Sequence, residues 1–576
     1  VVTNRSGPVH VARVVRKYKD TEYVSHLLRR TYRENGKVRH ETLGNVSSLP
    51  AEAIAVLRAS LAGKQLVVAG EELEIVRSTP HGHVAAVWAQ AKALGLAELI
   101  GPACPERDLV LALVVARVCR PASKLATTRW WQTTTLAPDL GVEAASADGV
   151  YAAMDWLVER QPAIEGRLAK RHLAQGDLVL YDLSSSWVEG SHCALAARGY
   201  SRDAKTGRAQ IEYGLMTDRA GRPVAVEVFA GNTADPTAFI SAVDTVRSRF
   251  GLDRVVMVGD RGMITSARIE AIRVLGGLGW ITSLRAPAIR ALAEGGVVQL
   301  SLFDEANLAE ITDHPDYPGE RLVACRNPAL AAERSRKRDE LLAATEALLE
   351  PIRVAVAAGR LVGADKIGLR VGKVVNRHKM AKHFTLDIAD TRFAYTPNTA
   401  AIAAEAALDG IYIVRTSVDA QRLDAAGVVD AYKGLKVVEA DFRSLKAIDL
   451  DLRPIRHWTE PRVHAHVFVC MLAAYLVWHL RRAWAPLCFT DEHPPERADP
   501  ISPARRSTQA TLKASRQRTT DDQPAHSLAT LLDELATLTR NQVRTGDITI
   551  EILATPTPLQ RKAFELLATT VPYQLT

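Results

Sequence analysis

The sequence predicts a mixed α/β fold, and three observations carry this prediction. Strand-like apolar runs alternate with helical patterns between residues 177 and 284. Two of the apolar runs end in an aspartate, at Asp182 and at Asp260. A later segment with helical periodicity carries Glu439. Because an unpaired carboxylate at the end of a buried strand is costly in free energy, these three acidic residues call for a functional explanation.

The composition indicates a globular chain of several domains that has a polyanionic partner. The chain has 576 residues, of which 47% are hydrophobic, so it is too long for one core and has ample apolar material to bury. Its formal net charge is +8, which favours a polyanion as partner. Ten basic and four acidic residues lie within residues 1–50, so this segment alone carries a charge of +6.

Residues 1–50 alternate in the manner of β-strands. Two strand-like stretches flank Glu34-Asn35-Gly36, and Asn-Gly tolerates the positive φ angles of a tight hairpin turn. A helical pattern follows over residues 51–62. We therefore predict a basic hairpin and helix module over residues 1–80 that binds a polyanion. The alternative is a basic face that is only solvated.

Residues 81–176 predict a helical domain, because four segments there show apolar residues spaced by three and four. The next segment, residues 177–284, predicts a three-stranded meander, a helix with Asp235 as N-cap, a strand, a helix and a last strand. The expected strands are 177–183, 209–217, 223–230, 254–260 and 280–284. This order is that of a ribonuclease H-like core, in which acidic ligands lie on the first strand, on the fourth strand and on a late helix.

The core is predicted to be interrupted by a large insertion. Residues 285–408 separate the last core strand from the glutamate helix, and they contain a long charged helical pattern and strand-like pieces such as "IGLRVGKVV". Residues 409–490 complete the core. Residues 491–576 are predicted to form a flexible linker and a C-terminal segment. The apolar run Val467–Trp478 is short for a bilayer, so a buried helix is expected there.

The segment around Glu439 has a distinctive helical stripe. At 100° per residue, one narrow face of a continuous helix would carry Tyr432, Leu435, Glu439, Arg443 and Lys446. A core face does not usually combine these residue types. With Asp182 and Asp260, Glu439 would form a divalent-metal cage, since Mg²⁺ prefers hard oxygen ligands. The rest of the stripe would follow a phosphate backbone.

This pattern resembles the DDE transposases of bacterial insertion sequences, in the cut-and-paste branch whose third motif reads Tyr-x2-Arg-x3-Glu-x6-Lys. Tyr432, Glu439 and Lys446 match that motif, whereas Leu435 stands at the arginine position. The blocks "GNTADPTAF", "GDRGM" and "DGIYIVRTS" also resemble this branch, so the resemblance covers about residues 80 to 480.

The resemblance implies the chemistry and the partners. It implies that Asp182, Asp260 and Glu439 are catalytic and hold two Mg²⁺ ions, for which Mn²⁺ can substitute. It implies DNA contacts by four residues, which are Tyr432, Lys446, Arg443 and Arg261. The partners would be double-stranded DNA, both the element's terminal inverted repeats and the target, and a second copy of the chain in a synaptic complex. Members of this branch make a DNA hairpin on the transposon end. Leu435 replaces the arginine that helps to hold the distorted strand, so the resemblance leaves open whether this chain makes a hairpin.

Two other functions compete with transposition. They are a metal-dependent DNA nuclease on the same fold and a DNA-binding remnant without catalysis. All three carboxylates are present, which disfavours the remnant, and Lys446 together with the insertion favours transposition. Further along, Arg453, Arg456 and Arg462 are candidates to line a DNA channel, whereas a histidine such as His457 is more often a packing residue.

The compartment follows from what the sequence does not contain. The six cysteines show no paired spacing, and no signal-peptide pattern opens the chain. We therefore expect a cytoplasmic, nucleoid-associated protein with no membrane partner.

Overall fold

The computed structural model describes residues 7–19, 21–34, 37–64, 73–298, 303–304, 306–493, 497, 499–546 and 548–575. The chain divides into two units. The smaller unit comprises Val1–Ser78 and Arg540–Leu553, and the larger unit comprises Thr79–Thr539 and Ala554–Thr576.

The elements are numbered in chain order within the described residues. The strands are β1 (Val9–Tyr18), β2 (Thr21–Glu34), β3 (Lys37–Asn45), β4 (Glu74–Pro80), β5 (Leu178–Trp187), β6 (Gln210–Thr217), β7 (Pro223–Ala230), β8 (Val256–Val258), β9 (Gly279–Ser283), β10 (Leu308–Ile311), β11 (Arg321–Arg326), β12 (Phe384–Ala389), β13 (Arg392–Pro397), β14 (Ile411–Thr416), β15 (Thr539–Thr545) and β16 (Ile548–Leu553).

The α-helices are α1 (Ala51–Leu61), α2 (Gly82–Ala93), α3 (Leu96–Ile100), α4 (Pro105–Cys119), α5 (Lys124–Trp131), α6 (Leu136–Leu140), α7 (Ala147–His172), α8 (Asp235–Asp244), α9 (Ser266–Leu275), α10 (Ala286–Glu294), α11 (Pro328–Ala357), α12 (Ala364–Arg377), α13 (Thr399–Ala406), α14 (Ala425–Lys433), α15 (Leu435–Arg443), α16 (Glu460–Ala483), α17 (Thr508–Arg516), α18 (Leu528–Ala536) and α19 (Pro558–Leu566). Two π-helical turns, Thr245–Arg249 and Ser444–Ile448, follow α8 and α15 directly.

The smaller unit contains two antiparallel sheets. The first has the order β1-β2-β3, and α1 packs against β1. The predicted pairing of the strands that flank Asn35-Gly36 is observed as β2 with β3, while the turn itself lies outside the described residues. The second sheet has the order β16-β15-β4 and therefore joins the C-terminal hairpin to the front of the chain. Local patterns do not predict this non-local pairing.

The larger unit is built around an eight-stranded mixed sheet with the order β10-β11-β14-β9-β8-β5-β6-β7. The central strands β5, β8 and β9 run parallel. From β5 the sheet continues antiparallel through β6 and β7, and from β9 it continues antiparallel through β14, β11 and β10. The predicted order of elements between residues 177 and 284 is therefore observed as β5-β6-β7-α8-β8-α9-β9.

A buried helix joins the helical region to the sheet. The helix α16 packs against α4, α7 and β7, so these elements share one hydrophobic core. By length and composition α16 could cross a membrane, but 83% of its most apolar window is buried inside the molecule. The expectation of a buried helix at Val467–Trp478 is therefore confirmed.

The segment expected as an insertion contributes both to the sheet and to a core of its own. Its strands β10 and β11 extend the central sheet beyond β14. Along the chain, the elements α11, α12, β12 and β13 come between β11 and β14, and they form a small hydrophobic core of their own. The stretch "IGLRVGKVV", expected as a strand, is part of α12, because its apolar residues Ile367, Val371 and Val375 recur every four residues on one buried face.

The segment expected as a flexible linker is also ordered where it is described. Within residues 491–526, the helix α17 forms, and its Lys513 is buried. The Nζ atom of Lys513 donates to the carbonyl oxygen of Ala485 at 2.7 Å and pairs with Glu492 at 3.0 Å. The polar composition here therefore reflects specific hydrogen bonding rather than disorder.

Candidate active site

The register of two parallel strands places two acidic side chains side by side. Leu180 of β5 lies opposite Val258 of β8. Asp182 and Asp260 each follow two residues later, and side chains two residues apart lie on the same face of a strand. Asp182 therefore lies in the middle of β5 and not at its end as predicted, because β5 continues to Trp187, whereas Asp260 follows the last residue of β8 by two positions. If the parallel register continues past Val258, the two aspartates lie level with each other on one face of the sheet.

The third acidic residue comes from the helix α15, which packs against β5. The turn from α14 into α15 brings Glu439 to the same cavity as the two aspartates. This cavity has a volume of about 430 Å³. It is lined by ten residues, which are Asp182, Asp260, Asn327, Leu330, Tyr412, Tyr432, Lys433, Leu435, Lys436 and Glu439.

Asp182 carries the strongest electrostatic perturbation of the three. Burial raises the pKa of its carboxyl group to about 7. The backbone N–H of Leu183, which donates to Oδ1 at 2.8 Å, and the nearby guanidinium of Arg202 act in the opposite direction on this pKa. The charges of Asp260 and Glu439 raise it further. The three carboxylates therefore repel one another, and a cation in the cavity would relieve this repulsion.

A tyrosine hydroxyl orients the second aspartate. The Oη atom of Tyr432 donates to Oδ1 of Asp260 at 3.4 Å and lies 2.7 Å from Oγ of Ser283. Tyr432 lies in the last turn of α14 and Ser283 ends β9, so this contact ties a helix and a strand to the carboxylate. Sequence analysis predicted Tyr432 as a DNA contact and did not foresee this hydrogen bond.

Arg202 lies beside Asp182 and was missed from the sequence. Its Nη2 atom donates to Oδ1 of Asp235 at 2.6 Å, and Nη1 lies 3.5 Å from Oε1 of Glu212. A Cβ on Gly262 would lie 3.3 Å from Oδ2 of Asp235 and 3.6 Å from Oδ2 of Asp260, so these two carboxylates approach each other closely.

Asp235 does not cap its helix as predicted. The N-cap of α8 is Ala234, and Asp235 is the first helical residue without a capping hydrogen bond. Its carboxylate is instead taken up by Arg202. One hint of this arrangement was present in the sequence: a glycine, Gly262, follows Asp260 by two residues, and a residue without a side chain lets the Asp235 carboxylate lie close to the backbone there.

The predicted helical stripe holds in its first part and fails at its end. The helix α14 ends at Lys433 and α15 begins after Gly434, whose backbone is itself right-handed helical, whereas a π-helical turn replaces the α-helix from Ser444. A projection at 100° per residue therefore does not hold beyond Ser444, where Lys446 lies. The residues found in the cavity from this segment are Tyr432, Lys433, Leu435, Lys436 and Glu439.

Lys446 is not exposed, as the stripe would require. Its side chain is nearly buried, with 10% of its surface accessible, and Nζ lies 2.8 Å from Oδ1 of Asp203. Arg453 also pairs with Asp203. The π-helical turn rotates Lys446 inward, away from the face on which the projection placed it.

The other two predicted DNA-binding residues are exposed and lie outside the carboxylate cavity. Arg443 is exposed near the end of α15. Arg261 lines a second cavity of about 470 Å³. Five further cationic residues line this second cavity, which are Arg290, Arg334, Lys337, Arg338 and Lys382.

Two lysines that the sequence analysis did not single out line the carboxylate cavity. Lys436 is exposed one helical turn before Glu439. Lys433 donates to the carbonyl oxygens of Pro500 and Ile501, and burial lowers its pKa to about 8. The spacing of Lys436 from Glu439 was a usable signal, since residues three apart share a helix face.

The residues at the cavity fit a divalent cation in chemistry but not in their present spacing. Three carboxylates offer the hard oxygen donors that Mg²⁺ and Mn²⁺ prefer. Within the described ranges, however, no three His, Cys, Asp or Glu side chains lie close enough together to hold a metal ion. The carboxylates would have to draw closer around an ion.

Comparison with known families identifies the class of protein. The model of the transposase DDE domain matches residues 177–476, just over half of the chain. The chain therefore belongs to the DDE transposases and is a DNA transposase, as its sequence motifs predicted. The model of the IS1634 family transposase N-terminal domain matches residues 11–71, which supports a transposase of an insertion sequence.

Comparisons with individual proteins add little. No curated protein matches the chain. Among solved structures, the chain is similar to the piggyBac transposase in a synaptic complex with hairpin DNA, at 10% sequence identity and a TM-score of 0.32. The match covers 70% of this chain and 73% of the other.

Proposed function

We propose that this transposase works by cut-and-paste, cleaving the ends of its element and joining them to target DNA at the carboxylate cavity. The catalytic residues would be Asp182, Asp260 and Glu439, on a core of the ribonuclease H-like type. The observation that carries the proposal is their convergence on one cavity: one carboxylate from the middle of β5, one from the residue that follows β8 by two positions, and a third from the helix α15. The meander and parallel strands of the central sheet support this type of core.

The cofactor would be two Mg²⁺ ions, with Mn²⁺ as a substitute. The three carboxylates would hold them, since oxygen donors around one cavity suit a hard cation and their mutual repulsion disfavours an empty site. When bound, a pair of such ions lowers the pKa of a water and stabilises the charge on the leaving 3′ oxygen.

The protein's own contribution is to orient the carboxylates. The hydroxyl of Tyr432 holds Asp260, and Ser283 fixes that hydroxyl in turn. Arg202 lies beside Asp182 and would keep this carboxyl partly ionised before any cation arrives, because a neighbouring positive charge favours the charged form. These contacts set the direction in which the carboxylate oxygens face the cavity.

DNA binding would rest on phosphate contacts by cations around the cavity. Arg443 and Arg261 are exposed and are available for such contacts. Arg261 opens onto the cation-lined second cavity, which would receive a strand that leaves the carboxylates. Tyr432 and Lys446 stay predicted DNA contacts. For Lys446, such a contact requires its ion pair with Asp203 to open.

The assembly and location follow from the same proposal. Double-stranded DNA would be bound both as terminal inverted repeats and as target, and two copies of the chain would bring two ends together. The protein would act in the cytoplasm at the nucleoid.

A joining assay separates transposition from simple nuclease activity. The full chain is mixed with a labelled duplex that carries the terminal inverted repeat found beside its gene, a target plasmid and Mg²⁺. Wild-type protein should cleave the duplex and join it to the plasmid, whereas a nuclease would only cut it. Asp182→Ala, Asp260→Ala and Glu439→Ala should each lose cleavage but keep binding to the end.

The matched control is Asp253→Ala, which removes an exposed carboxylate at the opposite end of the strand that leads to Asp260. This variant should cleave and join as wild-type protein does. If any of the three cavity variants cuts at a near wild-type rate, the catalytic assignment fails at that position. Cleavage without joining would favour the nuclease instead.

A further inference from the structure

A small cavity away from the carboxylates is lined by buried nitrogen-bearing side chains, and the proposed chemistry does not use it. Its volume is about 170 Å³. The innermost residues are Arg117, Lys124 and His466, whose exposed fractions are 5%, 3% and 6%. His457 lies over His466, with their ring centres 4.9 Å apart. Four nitrogen-bearing side chains from α4, α5, α16 and the loop before α16 thus converge on one small space.

These cations have no carboxylate to balance them. The Nε2 atom of His466 donates to the carbonyl oxygen of Leu452 at 3.0 Å, so its Nδ1 atom accepts from Nζ of Lys124 at 3.2 Å. Lys124 has three N–H donors, and only this one is used among the described residues. Because most buried lysines are paired with an acid, this arrangement is unusual.

Arg117 is bound only by neutral groups. Its Nη1 atom donates to the carbonyl oxygen of Leu450 at 3.4 Å, and Nη2 donates to that of Ala122 at 2.9 Å. Within the described part of the chain it forms no ion pair, and neither does Lys124. Asp451 lines the cavity as well, but it is exposed and pairs with neither cation.

The charge is felt by the titratable groups of the cluster. Burial, followed by the charge of Arg117, lowers the pKa of Lys124 to about 7. Burial and then Lys124 and Arg117 lower the pKa of His457 to about 3. Burial is the larger cause for both groups, and the neighbouring positive charges add to it. A bound anion would act on both pKa values in the opposite direction.

The mouth of the cavity carries arginines that the sequence had suggested for a DNA channel. Arg453 and Arg456 both line it. Arg456 pairs with Glu189 in an exposed ion pair, which contributes little and opens easily. Arg462 stacks over the ring of Tyr151, another wall residue, at 4.5 Å. Arg453 and Arg462 are also paired, with Asp203 and Asp155. An incoming anion would therefore exchange with these carboxylates at the mouth on its way to the buried cations.

The cavity is tied to the strand that carries the first catalytic aspartate. Backbone hydrogen bonds join Ile455, in the loop that lines the cavity, to Trp187 and Glu189 at the end of β5. Trp187 lies five residues beyond Asp182 on the same strand, which corresponds to about 17 Å. Each strand of duplex DNA rises about 3.4 Å per phosphate, so a strand held at the carboxylates covers these roughly 17 Å in about five nucleotides.

We propose that the cavity of Arg117, Lys124, His457 and His466 binds one backbone phosphate of the element's DNA, a few nucleotides from the phosphate that is cleaved. A phosphate fits because guanidinium and ammonium groups are its usual donors, and Lys124 has two N–H groups that are unused among the described residues. The volume equals that of about five or six waters, which is room for one phosphate group and little more. That the phosphate belongs to DNA rests on the proposed function. That the cavity binds a phosphate group does not.

The first test needs neither DNA nor metal. The melting temperature of the full chain is measured in EDTA at constant ionic strength, with inorganic phosphate replacing chloride. Wild-type protein should gain a few degrees, roughly, by ligand linkage. Lys124→Met should gain none. Lys366→Met, which removes an exposed lysine of α12, should gain as much as wild-type protein does. No gain in wild-type protein overturns the proposal, whatever the variants do.

The second test identifies the source of the phosphate. In the Asp182→Ala background, end duplexes with a single neutral methylphosphonate are scanned over the six positions on each side of the cleavage site. At one position the substitution should weaken binding about 3- to 10-fold for protein with Lys124 and not at all for Lys124→Met. The salt dependence of log K should also fall by about one in Lys124→Met.

The outcomes separate the inference from the proposed function. Phosphate binding with no sensitive position in the duplex means that free phosphate is the ligand, and the DNA assignment is then wrong. A sensitive position shared equally by Lys124→Met also overturns it. Failure of cleavage in wild-type protein would contradict the proposed function alone, because the phosphate measurement is independent of catalysis. If Lys124→Met does not fold, the methylphosphonate scan with protein that retains Lys124 still tests the proposal, because the absence of any sensitive position would overturn it.

Discussion

At the scale of single residues, the perturbed carboxyl of Asp182 predicts a pH-dependent stability. Its folded pKa of about 7 lies above the ordinary value of 3.8, so the folded state binds this proton more tightly than the unfolded state does. The resulting stabilisation is present at acidic pH and is lost as the pH rises through about 7.

Asp182→Asn should therefore stabilise the metal-free protein at pH 8.5 and change it little at pH 4. One pKa unit corresponds to about 1.4 kcal/mol, and partial exposure reduces the effect, so we expect on the order of 1–2 kcal/mol. Denaturant unfolding in EDTA at the two pH values measures this. Asp253→Asn is the control and should show no pH-dependent gain. Equal effects of Asp182→Asn at both pH values would contradict the assigned perturbation.

The buried ion pair of Lys446 predicts a structural cost. Removing one partner of a buried pair leaves the other charge uncompensated, which typically costs about 3–5 kcal/mol. Arg453 still neutralises Asp203, so we expect a smaller loss of about 1–3 kcal/mol for Lys446→Ala. Arg443→Ala, at an exposed position nearby, should stay within about 0.5 kcal/mol. Urea unfolding measures the free energy of unfolding of both variants. A loss in Lys446→Ala that Arg443→Ala does not show would confirm the structural role of Lys446.

A double variant shows whether the pair itself is responsible. Lys446→Ala and Asp203→Asn each remove the same ion pair, so the loss in the double variant should be smaller than the sum of the two single losses. Strict additivity would mean that Lys446 acts independently of Asp203. If Lys446→Ala instead keeps full stability and loses end binding, the original DNA role is favoured.

At the scale of elements, α15 depends on the turn between β6 and β7. Gly221 in this turn has a φ of +82°, and a Cβ there would lie 2.1 Å from Cγ1 of Val437 on α15. Gly221→Ala should therefore push α15, which carries Glu439, away from the sheet. We expect a loss of about 3 kcal/mol together with reduced cleavage. The left-handed backbone accounts for about 1–2 kcal/mol of it, and steric overlap accounts for the rest.

Gly251 separates the two contributions. It has a similar φ of +66°, but no atom lies within 4 Å of the position that a Cβ would take, so Gly251→Ala carries only the backbone cost. Adding Val437→Ala to Gly221→Ala should recover stability and cleavage, because it removes the overlapping methyl group. Identical losses in the two glycine variants would show that the turn does not support α15.

At the scale of the whole molecule, the basic sheet β1-β2-β3 should contribute to DNA binding through charge. Arg13, Arg16 and Lys17 on β1 are exposed, and they belong to the segment that holds most of the net charge. Replacing all three by Gln should weaken binding to the element's end and lower the salt slope by up to about 2.7, at about 0.9 per lost phosphate contact.

The comparison must keep the total charge constant. Replacing Lys366, Arg370 and Lys373 on α12 by Gln removes the same charge from another exposed surface. That triple variant should bind the end as wild-type protein does. If both triple variants weaken binding equally, net charge alone is responsible, and the basic face of β1 is only solvated.

The sequence alone was sufficient for the order of elements in the catalytic region and for the class of protein. Hydrophobic alternation and turn residues are local properties, so the meander and the parallel strands could be predicted. Local pattern placed Asp260 within two residues of the end of its strand, but it ended the first strand too early, because the polar run 184–186 after Asp182 is typical of a loop and is in fact part of β5. The family motifs added Glu439, because spacing along one segment is visible without a fold.

Only the tertiary structure decided which distant side chains meet. Lys124 contacts His466 across 342 residues, and Lys446 pairs with Asp203 across 243. No periodicity predicts such contacts, since they depend on how strands and helices pack in three dimensions. The interruption of α14 and α15 at Gly434 and the π-helical turn at Ser444 likewise depend on packing against the sheet. A projection along one ideal helix misplaced Lys446, because the chain leaves α-helical geometry in the π-helical turn that begins at Ser444.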